Sequence, residues 1–368
     1  MPKMCSIVTV AILLAAGLSA AGGEPKSAPQ RALGPKLVKA FLADCAAKAE
    51  AAREAETITV PGRKGWLFLS NELRHVGAGE FWGEAALKVS RGSKPDWADP
   101  LPAIVDFSDQ LKARGISLIV VPVPPKAFVF PELISDAVPA PDGLPPRLDV
   151  HHQAFYKLLA DRGVRVLDIW PMLAAGRFGD KGPMYCRTDT HWSGRACELV
   201  AARVAEILKE QDWYAAAPKR EIAAETRKVE IDGDLRKAMT GDRPSAEALP
   251  LRFVGLRGSP QRPLNTPEDA PVLVLGDSHG LVFHIGGDMH ARGAGFADQL
   301  AYELQMPVDV LAVRGSGATP ARISLYRRSR SDAKYLDRKK AIVWCFSARE
   351  FTESTGWRPL PVAPDAKR

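Results

Sequence analysis

The sequence predicts an α/β fold in which helices cover both faces of a parallel sheet. Three observations carry that expectation. Segments with helical spacing alternate with short strands along most of the chain. The main strands, such as "PVLVLG" and "KAIVWCFS", are near-continuous apolar runs, as strands buried on both faces are. Polar residues then fall just beyond strand ends: Asp189, Ser278 and Arg314. In open parallel sheets ligands sit at the carboxyl ends of strands, so these residues converge on one edge.

Residues 37–56 are Ala-rich with helically spaced apolar positions and form the first expected helix. "GRKGWLFLSNEL", residues 62–73, reads as a turn leading into a strand. "IVDFSDQLKARG" is a helix that Gly115 closes. Residues 116–125 are a buried strand that Pro122 and Pro124 terminate. A helix over 147–162 precedes the strand "VRVLDIW", and another runs from about Gly194 to Glu210. Residues 211–250 are polar with few apolar runs, and are expected to be an insertion or an irregular excursion. "PVLVLG" is a strand, "GFADQLAYELQ" a helix and "VDVLAV" a strand; residues 319–338 are mostly helix and "KAIVWCFS" is the last strand. No internal repeat interrupts this order.

The chain has 368 residues and is 46% hydrophobic, enough for a sizeable core. Charged residues make up 25%, which argues against global disorder. The net charge of +7 and pI near 9.1 favour an acidic partner. No nucleic-acid-binding motif or zinc-finger spacing is present, so the expected partner is an acidic polymer, not nucleic acid.

Residues 1–22 read as an export signal. Lys3 is the positive start, "IVTVAILLAAGL" the apolar centre and "LSAAGG" the small-residue site. The apolar run is shorter than the about 20 residues of a membrane span, and an uncleaved anchor is the alternative. Residues 23–57 are a tether, Pro/Ser/Ala-rich over 24–32, followed by the first helix. Cys5 precedes the apolar run. The other four cysteines, Cys45, Cys186, Cys197 and Cys345, allow three disulfide pairings in an exported chain; free buried thiols are the other reading.

The chemistry centres on "PVLVLGDSHG", residues 271–280, where a buried strand runs straight into Ser278. A serine hydroxyl needs a base, and the base needs an orienting partner. Of seven histidines, His191 stands out because Asp189 precedes it by two positions in "YCRTDTHWSG". A carboxylate there can take the Nδ1 proton and leave Nε2 for the serine. His279 is the second candidate base. Each residue also has a plainer reading: Ser278 as a turn serine, Asp189 as the cap of the following helix, Trp192 as packing. Asp277 is expected to bind backbone amides in its turn. Cys186, His191 and Cys197 match no common zinc spacing, and neither a metal nor a cofactor is expected.

"GRKGWLFLSNEL", "VVPVPPKAFVFPE", "TDTHWSGRACELVA", "VLVLGDSHG" and "AIVWCFSARE" occur in that order. Together they resemble the SGNH-hydrolase-like domain of the alginate O-acetylation proteins, the AlgX/AlgJ type, over residues 58–355. The resemblance implies a flavodoxin-like parallel sheet with circularly permuted motifs, because Asp189 and His191 precede Ser278. It implies Ser278 as nucleophile, His191 as base and Asp189 as its orienter in acetyl transfer to a polysaccharide. An oxyanion hole is then required, with the Ser278 N–H and Gly315 or Gly317 of "RGSG" as candidate donors. Arg314, Lys126 and the basic run "YRRSR" (326–330) are candidates to face an acidic sugar, the run's other reading being an exposed helix face. Implied partners are an acidic polysaccharide acceptor and a membrane-bound O-acyltransferase that delivers acetyl to the periplasm. Residues 356–368 are expected to be a tail, with no carbohydrate-binding module after 355. The rival functions are a carbohydrate esterase with the same triad and a non-catalytic polysaccharide-binding scaffold.

Overall fold

A computed structural model describes residues 34–364. The expected signal segment lies outside the described residues. Among the described residues, no helix is long and apolar enough to cross a membrane.

Four parallel strands form the central sheet, in the order Asp309–Ala312, Val272–Gly276, Ala341–Ser347, Ser117–Val123. Alternate side chains of these strands enter two separate cores. Ile119, Val121, Val274 and Val343 face a core completed by the helices Pro35–Glu54, Gly194–Lys209 and Phe296–Leu304. Leu118, Val120, Leu275 and Trp344 face the other, completed by Pro100–Lys112, Val150–Ala160 and Thr319–Ser331. This is why the strands read as unbroken apolar runs: both faces are covered.

Pro122 does not end its strand but lies inside it, paired with Phe346. At this edge of the sheet Val120 bridges only to Val166, and Leu167 N–H donates to the Val120 carbonyl. Two residues on, Pro122 turns its missing donor toward the side where that neighbour has already left, which makes it tolerable. "VRVLDIW" is accordingly a single bridge rather than a strand, because the Asp168 carboxylate accepts Trp170 N–H and starts the helix Trp170–Gly176. "SNELRHVG" is a helix, Ser70–Gly77, that follows the short strand Leu67–Leu69.

The stretch expected to be an insertion or an irregular excursion is ordered. Strands Ile222–Ile231, Glu247–Leu256 and Ser259–Pro263 form an antiparallel sheet, with the short helix Asp234–Ala238 between the first two. Its signal was period-2 alternation, not an apolar run: Leu249, Leu251 and Phe253 are buried while Ala248 is exposed. The four described cysteines are free, buried thiols.

Candidate active site

Gly276 ends its strand where only glycine fits. A Cβ there would lie 1.8 Å from the Cys345 carbonyl oxygen on the adjacent strand. The chain then turns through Asp277 into a short helical turn, Ser278–Gly280. Asp277 does what the turn requires: its carboxylate accepts His279 N–H at 2.8 Å and Ser347 N–H at 2.7 Å. Ser278 is therefore presented at the carboxyl end of a central strand, held from two sides.

The "TDTHW" loop docks onto this turn. Trp192 Nε1 donates to the His279 carbonyl at 3.1 Å, and the His191 and His279 rings lie 5.0 Å apart. The helix after the loop is capped by Ser193, whose hydroxyl accepts Ala196 N–H. Asp189 is thus not that helix's cap, and its carboxylate is available to the histidine. Asp189 Oδ1 accepts His191 Nδ1 at 2.7 Å. Nδ1 then carries the proton, and Nε2 is left as the acceptor.

His191 Nε2 is buried and has no hydrogen-bond partner, Ser278 included. A buried polar atom without a partner calls for an explanation. Catalytic bonds are often open without substrate and close in the reactive complex. Burial alone lowers the His191 pKa, but the bond and charge of Asp189, with help from Asp234, outweigh it and leave the imidazole above its ordinary 6.5. Burial likewise favours protonated Asp189, yet its histidine partners hold it well below the usual carboxylate range. His279 differs: burial takes it down to about 4, against the pull of Asp277, so it is neutral near pH 7.

The remaining sequence candidates fall in different places. Gly317 presses against the serine turn, where an added Cβ would meet Asp277 N at 2.9 Å. Gly315 has φ +84° and open space beside it. Arg314 is exposed and paired with Asp288, its Nη2 2.8 Å from Oδ1. Lys126, expected to face an acidic sugar, turns inward instead. It sits at its strand's carboxyl end, but its ammonium is buried and donates to the carbonyls of Leu67 (2.9 Å) and Asp189 (2.5 Å). It braces the loop and faces no solvent. "YRRSR" is also placed away from the site. Arg328 reaches Asp309, the first residue of its strand and so at the amino end of the sheet.

Cys186 and Cys197 do not join His191 around a metal; the Cys186 thiol donates to the Trp192 carbonyl at 3.5 Å. Asp189, His191 and Asp234 bring potential ligand atoms within 4.8 Å of one another. Their hydrogen bonds account for that closeness, since Asp234 Oδ1 accepts Thr190 N–H and Asp189 holds His191.

Sequence reasoning missed three neighbours. His290 Nε2 lies 2.8 Å from Asp189 Oδ2. Arg349 is buried near the site, with Nη1 donating to Ser347 Oγ at 3.0 Å. Glu350 accepts Ser316 Oγ, in the "RGSG" loop, at 2.5 Å. Only a fold could find these, because they lie on the segments after two different strands, Val272–Gly276 and Ala341–Ser347, that the sheet order brings together.

The family model described as "SGNH hydrolase-like domain, acetyltransferase AlgX" matches residues 59–348. The chain is 26% identical over 230 residues to the Pseudomonas aeruginosa protein named "Probable alginate O-acetylase AlgJ", covering 62% of this chain and 51% of that protein. It therefore spans about half the length of this curated relative. Its fold is similar to the O-acetyltransferase domain of Pseudomonas putida AlgJ, with TM-score 0.58 and 22% identity over 80% of this chain and 92% of that one. It is also similar to Pseudomonas aeruginosa AlgX, with TM-score 0.55 and 18% identity over 88% of this chain and 71% of that one. The fold expected from the strand pattern is thus the SGNH-hydrolase-like fold, and the chain belongs to the AlgX-type SGNH hydrolase-like acetyltransferase family.

Proposed function

We propose that this chain transfers acetyl groups to hydroxyls of an acidic exopolysaccharide through an acetyl-Ser278 intermediate. One observation carries the reading: the Asp189–His191 pair, with Nε2 bare, packs on the turn that presents Ser278. In the first half-reaction Ser278 Oγ attacks the donor's acetyl carbon and its proton passes to His191 Nε2. The tetrahedral oxyanion takes hydrogen bonds from the Ser278 N–H and the loop of Gly315 and Gly317. His191 returns the proton to the leaving oxygen as the donor's ester bond breaks. In the second half-reaction a sugar hydroxyl loses its proton to Nε2 and attacks the acyl carbon; Ser278 Oγ leaves and is reprotonated.

The net charge of +7 supports a polyanionic acceptor, and the relative's name supports a polymer of the alginate kind. Export through residues 1–22 and supply of acetyl by a membrane-bound O-acyltransferase complete the proposal. The test is direct. Protein given an activated aryl acetate should gain one acetyl group on Ser278, read by mass spectrometry. Adding a uronate oligosaccharide should discharge it and acetylate the sugar, and Ser278→Ala should do neither. Equal acetate release with and without every oligosaccharide tested, with no acetylated sugar, would replace transfer by ester hydrolysis. No adduct with any reactive donor would favour the scaffold.

A further inference from the structure

We infer that His290 is a positioning residue for acetyl transfer: it clamps the far oxygen of Asp189 and thereby fixes the His191 base. The inference rests on the Ser–His–Asp reading above and adds a fourth member to it.

The Asp189 carboxylate is held by four donors. Oδ1 accepts His191 N–H at 3.0 Å and His191 Nδ1 at 2.7 Å. Oδ2 accepts Asp234 N–H at 2.8 Å and His290 Nε2 at 2.8 Å. A carboxylate so surrounded cannot rotate without breaking two bonds at once. His290 supplies the only side chain among the described donors to Oδ2, so it fixes the carboxylate plane and, through it, the His191 ring. Because Asp189 is acceptor-only, His290 must carry its proton on Nε2.

The backbone around His290 is strained in a way the loop does not otherwise need. His290 has φ +70° and ψ −51°, and Ala291 N–H donates back to the Met289 carbonyl at 2.9 Å. That is a γ-turn of the positive-φ kind, rare for any residue and strained for one with a side chain. Glycine would relieve it, and glycines stand at 286, 287 and 293 of the same loop, all at positive φ. At 290 the chain keeps an imidazole instead, packed 5.8 Å from the Phe283 ring and buried. Strain retained at a polar, buried side chain that touches a reacting group's partner points to a role for that side chain. The loop also follows Ser278 directly in the chain, with Phe283 N–H bonded to the Met289 carbonyl. One continuous segment thus carries the nucleophile and returns to grip the orienter of its base.

The test uses the full chain and an activated aryl acetate, measuring Ser278 acetylation against pH. His290→Ala should lower the maximal acylation rate about 10-fold to 100-fold, the usual loss for a partner that orients an active group. The KM for the ester should stay unchanged, since His290 touches no donor. The acid limb of the pH profile should move to higher pH. Losing a donor concentrates charge on Asp189, which favours protonated His191. The other charged groups around His191, namely Asp234, Glu72, His279 and Arg349, are the same in every variant.

Two further variants keep the outcome readable if alanine loosens the loop. His290→Gln places an amide N–H where Nε2 stands and should restore most of the rate. His290→Asn tolerates positive φ better but is too short to reach Oδ2, and should remain slow. A slow Gln variant with a fast Asn variant, or an Ala variant with wild-type rate and limb, overturns the inference. Ser278→Ala in parallel separates the two levels. If it acylates like wild type, the triad reading falls and this one with it. If it is inactive while His290→Ala is normal, only the role of His290 is lost.

Discussion

The Asp277 carboxylate accepts the Ser347 N–H at 2.7 Å, tying the serine turn to the end of the neighbouring strand. Asp277 is fully buried and its other oxygen holds His279 N–H. Burial favours its protonation, but His279, Arg349 and the Ser347 N–H outweigh that and hold the carboxyl down at about 2. It is therefore an anion near pH 7 that stitches two strand ends together beneath Ser278.

Asp277→Asn should separate the stitch from the shape. The amide keeps the volume but sets an N–H against one of the two backbone N–H groups. That costs about 1–3 kcal/mol for a buried unsatisfied donor. Denaturant unfolding should show the loss, and Ser278 acetylation should slow because the turn is released. An unchanged midpoint together with an unchanged rate would remove Asp277 from this role.

Much of this arrangement was legible in the sequence, for a physical reason. Strands buried on both faces are unbroken apolar runs, and the polar residue ending such a run is exposed to the ligand edge. That logic finds Ser278 and the Asp189–His191 pair, whose spacing is local. It fails for His290 and Arg349, which reach the site only because the sheet order brings separate loops together. It fails for the Ile222–Ile231 and Glu247–Leu256 pair because charged residues interrupt both strands, so no unbroken apolar run marks them. And it misplaces Lys126: strand position predicts which edge a residue occupies, but not whether its long side chain turns outward or in.

Lys126→Met tests that inward turn. The ammonium serves the Leu67 and Asp189 carbonyls, while the Lys126 backbone N–H donates to the Glu72 carboxylate at 2.9 Å. Burial lowers its pKa while Glu72 and Asp189 raise it, the net shift being downward. Methionine fills the stem volume but leaves two carbonyls unpaired, a loss of about 1–3 kcal/mol for each such group. Stability should fall and acetylation slow, while the KM for a uronate oligosaccharide stays constant. A lysine that bound sugar would give the opposite pattern: normal stability, with a raised and salt-sensitive KM.

Glu350→Gln should alter how stability depends on pH. Burial raises the Glu350 pKa from 4.5 to about 7, with Arg349 opposing and Asp277 adding to the rise. A carboxyl raised on folding binds its proton more tightly in the native state. Its contribution is complete below about 4.5 and is lost as pH rises to about 7. The loss is of order 3 kcal/mol across that window. Glutamine is neutral throughout and can keep the Ser316 contact. The variant should therefore gain on wild type between pH 5 and pH 8 in thermal unfolding. Parallel curves for the two proteins would show that Glu350 does not titrate there.

The last prediction concerns the base itself. On the proposed mechanism His191 is neutral when it accepts the Ser278 proton, so acetylation of Ser278 should rise with pH and level off. Its midpoint should lie above 6.5, because Asp189 and Asp234 outweigh burial. Asp189→Asn removes the charge that does most of this but keeps the side chain's shape. Burial then dominates, and the midpoint should move below 6.5. The plateau should also fall, by orders of magnitude, because an amide can hold the imidazole in the wrong tautomer with the proton on Nε2. The two effects have opposite signs at low pH and separate cleanly in a full profile: the variant is slower everywhere, yet its rate levels off earlier. His191→Ala should abolish the limb altogether. If the limb survives that substitution, another group titrates, and His279, whose pKa burial takes down to about 4, is too acidic to account for a midpoint above 6.5. A wild-type midpoint below 6.5, or an Asp189→Asn midpoint above it, would mean that Asp189 does not control the base.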